Sequence, residues 1–414
     1  MNSRIRNNAT TGIYLHFPYC IQKCSYCDFY SIGMENSSSP REVTKSALRQ
    51  FEDAIKIELD TRLETFKQYS SADTVYFGGG TSSLMPPDTI ARFLSLFRSR
   101  IGLTPNCEIT LEGNPENFTP DYLNALHAIG VTRVNVGIQT FSGKFLREMN
   151  RYFDHERYSS ILNDLESSPI KNIGADLIYG FPGQGKGDFY DDLKKTLKTN
   201  LNHLSIYSLT AEAGTPYATR IERAQTSAPN EDLQFQIFSE LSEFLREHGY
   251  QQYEISNFAK PGHACHHNAR YWNYESYMGL GPGAHGFTGT HRYANTRNIP
   301  AWTAEPAGAR NEEHNPIYDL PLNVLRLMTP IDVRIFTDVL GPLPKGDSLT
   351  RIATNTIESW VDRGFGQWLK QGPKIEGASS QTKSSQDLFI WNFEGYSQLN
   401  DRTLEMIESL ENAS

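Results

Sequence analysis

The sequence predicts an α/β protein: an incomplete (β/α)6 barrel followed by a C-terminal, mainly helical extension. Three observations carry this. Short β-branched or apolar runs recur, each followed by a stretch able to form a helix, and strand–helix alternation implies a parallel sheet with helices outside. Six such units are present without clear signals for eight, which favours an open barrel over a closed one. The chemistry-bearing motifs fall at or near the ends of these runs, where parallel α/β folds place their sites.

The six runs are residues 13–16, 74–77, 108–112, 133–138, 175–179 and 204–209. After residue 215 the pattern changes. Residues 231–248 read as one long amphipathic helix, with Asn230 as N-cap and Gly249 as the stop. An aromatic, glycine-rich block follows at 253–298, and 305–316 reads as a linker. Helical patterns return at 349–361 and 402–410, while 34–42 and 372–387 are polar, serine-rich loops. The expected division is an N-terminal tail (1–11), the partial barrel (12–215), an extension (216–304), the linker (305–316) and a C-terminal domain (317–414). No internal repeat is visible.

At 414 residues the chain is long enough for two or three domains. Its 38% hydrophobic and 12% aromatic content supports packed cores rather than disorder. No apolar run approaches the roughly 20 residues of a membrane span. The first residues lack the apolar segment of a secretory signal, so a cytoplasmic location is expected, which also suits an oxygen-sensitive cluster. A net charge of −9 disfavours a nucleic-acid surface.

The densest chemistry is Cys20, Cys24 and Cys27, spaced C-x3-C-x2-C. Three thiolates are one too few for a closed zinc or iron–sulfur site. They suit three irons of a [4Fe–4S] cube and leave the fourth open for a small chelating molecule, for which S-adenosylmethionine is the obvious candidate. His16 offers a Cys3His zinc alternative, although zinc ligands usually come in pairs from separated hairpins. A disulfide framework is disfavoured by the odd count of five cysteines. Cys107 reads as a small buried apolar residue.

Gly78-Gly79-Gly80-Thr81 follows the second run and suits close approach of backbone to a ligand, with exposed amides to receive it; a tight turn is the plainer alternative. Glu112 ends the third run, where a carboxylate can accept from ribose hydroxyls or cap a helix. Gln139 ends the fourth, Arg151 lies twelve residues later, and Asp176 sits in the fifth. Taken singly, each is equally well read as structural.

Together these residues resemble the radical S-adenosylmethionine proteins of the oxygen-independent coproporphyrinogen oxidase group. The resemblance covers roughly residues 12–300. It rests on the triad, Tyr76-Phe77-Gly78-Gly79-Gly80-Thr81, Gly137-Ile138-Gln139-Thr140-Phe141, Asn150-Arg151 and Asp176-Leu177-Ile178-Tyr179-Gly180-Phe181-Pro182-Gly183. It implies a [4Fe–4S] cluster on Cys20, Cys24 and Cys27. It also implies that Tyr14, Tyr26, Gly80, Thr81, Glu112, Gln139, Arg151 and Asp176 contact S-adenosylmethionine, with Thr210 a looser match.

One departure points to a subgroup. The oxidases carry a further cysteine two residues after the triad, where this chain has Phe29. That form is similar to the heme chaperones of the group. So are His267-Asn268-Ala269-Arg270-Tyr271-Trp272, the segment 253–259 and Gly279-Leu280-Gly281-Pro282-Gly283-Ala284-His285-Gly286. A neutral imidazole can ligate heme iron, and Tyr271 and Trp272 offer flat apolar surface to a porphyrin. His267 is therefore the expected heme ligand. His263, Cys265 and His266 lie close enough to compete, and the alternative for His267 is a hydrogen-bonded histidine in an aromatic core. Segment 388–396 is a degenerate counterpart of the group's C-terminal L-x-L-T-x-x-G stretch. The resemblance implies a heme chaperone with a heme-acceptor protein as partner. The competing expectation is an enzyme acting on a tetrapyrrole, such as a coproporphyrinogen III oxidase, which needs a low-potential electron donor to cleave S-adenosylmethionine.

Overall fold

The computed structural model describes residues 10–34, 43–369 and 388–414. Most of the tail at 1–11 and of the loops at 34–42 and 372–387 lies outside the described residues. All six expected runs are strands. The first is β1 (Thr10–Phe17). The two-residue strands β2 (Tyr19–Cys20) and β3 (Ile32–Gly33) follow it, pair in parallel and bracket the cysteine loop. The other five are β4 (Ser71–Gly79), β5 (Leu103–Gly113), β6 (Arg133–Gln139), β7 (Asn172–Tyr179) and β8 (His203–Ser208). Between them run α1 (Lys45–Thr65), α2 (Pro87–Arg100), α3 (Pro120–Ala128), α4 (Gly143–Glu148), α5 (His155–Glu166) and α6 (Lys186–Leu197).

The six strands lie side by side in the order β1-β4-β5-β6-β7-β8, every pair parallel. Their apolar residues are buried in one continuous core with the helices, as parallel strands covered on their faces require. After β8 the chain passes through α7 (Pro216–Glu222) and α8 (Glu231–Glu247). In α8 the Asn230 side chain caps the Leu233 amide at 3.0 Å, and Gly249 at φ +83° ends it.

The aromatic block at 253–298 widens this sheet instead of forming a separate lobe. Beyond β8 lie β10 (Asn257–Ala259) and β9 (Gln251–Glu254), both antiparallel. On the other side β11 (Tyr277–Leu280) pairs in parallel with β1. The antiparallel strands β12 (His285–Phe287), β13 (Arg292–Ala294) and β14 (Arg310–Glu312) then lead to the edge. β14 falls within 305–316, the segment expected as a linker. Helix α9 (His266–Trp272) precedes β11, and α10 (Ile299–Ala304) precedes β14.

The C-terminal part has its own core. Helices α11 (Pro316–Val324), α12 (Arg334–Leu340), α13 (Gly346–Asp362), α14 (Phe393–Ser397) and α15 (Leu399–Glu411) pack around a small sheet of β15 (Ile331–Asp332), β16 (Gly366–Leu369) and β17 (Leu388–Trp391), with β17 central. Gly395 has no room for a side chain, because a Cβ there would stand 2.0 Å from the Phe365 carbonyl oxygen. Its amide is capped by Asn392 at 3.0 Å.

Candidate functional site

Two clefts meet near the C-terminal end of β1. The first, about 460 Å³, holds all three triad cysteines, a volume within the usual range for small-molecule sites. The β2–β3 pair fixes both ends of the cysteine loop, and its middle is pinned by the Ser25 amide to the Met149 carbonyl at 2.8 Å. All three cysteines are free thiols. Burial raises the pKa of Cys20 and, with Cys24 nearby, pushes Cys27 up to about 11. Loading a cluster therefore requires the protein to shed protons.

Among the described residues no three His, Cys, Asp or Glu side chains converge on one metal ion. His16 is occupied elsewhere, with Nε2 2.7 Å from the Tyr30 carbonyl and Nδ1 3.1 Å from the Tyr14 hydroxyl.

Of the nine residues that the resemblance placed around S-adenosylmethionine, Tyr26, Gly80, Thr81, Glu112, Gln139, Arg151, Asp176 and Thr210 line this cleft. They come from β5, β6 and β7 and from the segments that follow β2, β4, α4 and β8. Tyr14 does not; it lines the second cleft. Arg151 donates to Cys24 Sγ at 3.5 Å, to Asn114 Oδ1 at 2.9 Å and to the Gly137 carbonyl. Gln139 holds a left-handed backbone at φ +65°, a sign of functional constraint in a non-glycine residue. Burial, with Asp176 next, pushes Glu112 up to about 7, while Asp176 itself rises to about 6 through burial. Tyr76 donates its hydroxyl to Glu112, and Asn135 donates to Asp176.

The glycine run acts differently from the expectation of free amides. Gly80 N donates to the Phe17 carbonyl at 2.7 Å, Thr81 N donates to the Tyr19 carbonyl at 2.8 Å, and Gly79 N donates to Glu112. The run locks the cysteine segment against β4. A Cβ on Gly80 would come within 2.7 Å of the Tyr19 oxygen and 3.1 Å of Cys20 Sγ. Sequence reading missed Asn114 and Tyr207, which also line the cleft; both sit at or just past a strand end, the signal that found the others.

The second cleft, about 390 Å³, shares Asp28 and Phe29 with the first. Its walls include Tyr14, Tyr30, Tyr271, Trp272, Tyr274, Tyr277 and Phe287, with His285, Arg292 and Arg297 among them. Phe29, at the position of the missing fourth cysteine, is 65% exposed. Helix α9 divides the H-N-x-x-Y-W motif between cleft and core. Tyr271 and Trp272 face the cleft, but His267 is wholly buried beneath them. Its Nδ1 lies 2.8 Å from Thr74 Oγ1 and its Nε2 2.9 Å from the Tyr271 hydroxyl, and its ring stacks on Tyr76. Burial holds its pKa well below 6.5. Both ring nitrogens of this expected heme ligand are thus engaged, one with Thr74 and one with Tyr271.

The competing residues are also occupied or remote. Cys265 Sγ donates to Glu108 Oε1 at 3.4 Å, His263 Nδ1 is 2.7 Å from Asn172 Oδ1, and His266 is exposed outside the cleft wall. The start of α9 is held by a buried pair, Arg133 Nε to Glu108 Oε2 at 3.0 Å. Glu108 also accepts the His267 amide at 3.1 Å, and Arg133 donates to the His263 and Ala264 carbonyls.

A parallel strand run with three cysteines after its first strand, opening on a cleft of polar strand ends, defines a radical S-adenosylmethionine protein. The radical SAM superfamily model matches residues 14–196. The heme chaperone HemW of Mycobacterium tuberculosis (strain H37Rv) is 31% identical over 72% of this chain and 75% of its own. HemW of Buchnera aphidicola from Acyrthosiphon pisum is 30% identical over 87% and 91%. The mitochondrial radical S-adenosyl methionine domain-containing protein 1 of Bos taurus is 33% identical over 77% and 71%. The chain belongs to the HemW family of radical SAM proteins. The solved coproporphyrinogen III oxidase HemN of Escherichia coli shares the fold, with a TM-score of 0.73 over 97% of this chain and 91% of that one at 19% identity. Membership implies a [4Fe–4S] cluster and S-adenosylmethionine, and the three free thiols gathered in one cleft are a donor set that fits them.

Proposed function

We propose that this protein is a heme chaperone, which binds heme and passes it to an acceptor protein while a [4Fe–4S] cluster and S-adenosylmethionine occupy the cysteine cleft. The observation that carries this is the second cleft: an aromatic cavity beside the cysteine site, entered past Phe29 where the oxidases have a cysteine. In this reading Cys20, Cys24 and Cys27 hold the cluster. Tyr26, Gly80, Thr81, Glu112, Gln139, Arg151, Asp176 and Thr210 surround S-adenosylmethionine, and Arg151 supplies positive charge beside Cys24. The cluster, when bound and reduced by a low-potential donor, can supply an electron to cleave the sulfonium; heme transfer does not need that step.

We divide the work as follows. Residues 12–215 hold the cofactors, 216–304 build most of the heme cleft, and 317–414 close it from the C-terminal side. We place the protein in the cytoplasm, where thiols stay reduced; its five cysteines are all free, and no described helix is long and apolar enough to cross a membrane. The test is to incubate anaerobically reconstituted protein with reductant, S-adenosylmethionine and coproporphyrinogen III, and separately to titrate it with heme. The expected result is a Soret shift with heme and no decarboxylation. Formation of decarboxylated porphyrinogen would replace the chaperone reading with the oxidase one.

A further inference from the structure

We propose that Ser31 is a positioning residue for the electron chemistry of the first cleft: its hydroxyl donates to the Cys20 thiolate when that thiolate holds the cluster, and so raises the cluster's reduction potential. The inference rests on the cluster that Cys20, Cys24 and Cys27 hold in the proposed function, and it is independent of where heme binds.

Ser31 lines the cysteine cleft yet is only 7% exposed. Its Oγ is buried without a hydrogen-bond partner among the described residues, and no other described residue on that wall carries such a side-chain atom. A buried hydroxyl left unpaired costs free energy and calls for a reason. The backbone fixes where this one sits. Ser31 stands directly before β3, whose Ile32 and Gly33 pair with Tyr19 and Cys20, and Ile32 N donates to the Pro18 carbonyl at 2.7 Å. The Ser31 carbonyl itself accepts from Lys23 Nζ at 3.4 Å. The hydroxyl is thereby kept beside Cys20, close enough to favour its thiolate form but without a hydrogen bond to the thiol.

Cys20 is the member of the triad that most needs a donor. It is buried, whereas Cys24 and Cys27 are partly exposed. Cys24 Sγ already accepts from Arg151 at 3.5 Å. On another side of Cys20 the Gly80 backbone comes so close that a Cβ there would stand 3.1 Å from Sγ. A thiol sulfur is a weak acceptor and a thiolate a strong one, so Ser31 gains its partner only when Cys20 sheds its proton to bind iron. Reduction then adds one electron, supplied by a low-potential donor. No bond is made or broken, and Ser31 keeps its proton. The added charge spreads onto the sulfurs and strengthens a hydrogen bond aimed at one of them, which is how such bonds set cluster potentials.

The test uses the full chain, anaerobically reconstituted without S-adenosylmethionine. It reads iron and sulfide content together with the midpoint potential, followed by electron paramagnetic resonance during a redox titration. For Ser31→Ala we expect wild-type cluster content and a reduction equilibrium about tenfold less favourable, which for one electron is a midpoint about 59 mV more negative. Ser31→Thr, which keeps the hydroxyl, should hold the wild-type potential. A cluster lost in Ser31→Ala but carried at wild-type potential by Ser31→Thr would support the same assignment. An unchanged potential in Ser31→Ala would overturn it. An equal shift in both variants, or failure of both to take up a cluster, would also overturn it, by showing that Ser31 acts through packing. A wild-type chain that takes up no iron would instead defeat the cluster assignment on which the proposal stands.

Discussion

Glu58 sits in the middle of α1 with its carboxyl fully enclosed. It accepts from the Gly281 amide at 2.9 Å, from Trp302 Nε1 at 3.0 Å and from Asn295, with Arg62 3.6 Å away. Burial outweighs these partners and pushes its pKa up to about 7. The folded state thus holds this proton more tightly than the unfolded chain. Its contribution to stability is fullest below the unfolded value near 4.5, falls as pH rises toward about 7 and is level above that. The drop is roughly 3 kcal/mol across that window. In Glu58→Gln, melting temperature measured from pH 4.5 to 8 should lose this slope, although a donor left facing the new amide lowers stability overall. An unchanged slope would mean that another group titrates. No sequence pattern announces Glu58: an acid within a charged helix, four residues before Arg62, reads as a solvated face, and the donors that hydrogen-bond it lie more than 200 residues away. The contact of His285 Nδ1 with Glu312 Oε2, at 2.9 Å, was hidden for a related reason: it depends on three neighbouring strands, and the run Arg310-Asn311-Glu312 is too short and polar to read as one of them.

At the scale of elements, the glycine run after β4 and the cysteine segment after β1 form one unit, held by the Gly80 and Thr81 amides. Gly80→Ala would place a methyl against the Tyr19 carbonyl and Cys20 Sγ, and relieving such overlap costs of the order of 1–3 kcal/mol. Cluster content after reconstitution, measured by iron and by absorbance, should fall by about tenfold if that cost falls on the cysteine loop. Full cluster content in this variant would show that the loop is not held by the run. The six parallel strands were legible because buried strands collect β-branched and apolar residues, as with Val134, Val136 and Ile138 in Arg133–Gln139 and Ile173, Leu177 and Ile178 in Asn172–Tyr179. The polar side chains that line the first cleft were legible because strand ends and the segments after them collect such groups. Helix α9 shows where such reading stops. Its motif brings Tyr271 and Trp272 to the second cleft, but which of its residues face the cleft depends on the Glu108–Arg133 pair that sets the helix's start, and two oppositely charged strand residues look solvated in sequence.

For the whole molecule, the joint between the two cores runs through Arg326. Its guanidinium pairs with the buried Glu254 at 3.1 Å and lies 4.5 Å from the centroid of the Trp272 ring, on the wall of the second cleft. Nearby, Met328 N donates to the Tyr253 carbonyl at 3.0 Å, and Tyr274 and His314 are bonded at 2.6 Å. Arg326→Ala leaves a buried carboxylate without its cation, a change that typically costs about 3–5 kcal/mol. Thermal unfolding should split, with the C-terminal part melting first, and proteolysis should begin near 305–316; a single transition shifted as a whole would show that the two cores unfold together without this joint. The C-terminal part thereby reaches the cleft that the proposed cargo occupies. Phe29 and Asp28 front both clefts, and this shared border has a thermodynamic corollary. Occupants that touch the same side chains cannot bind as strangers. Whatever factor S-adenosylmethionine imposes on heme affinity, heme must impose on S-adenosylmethionine, so a cell's supply of the one becomes a setting on the protein's grip of the other.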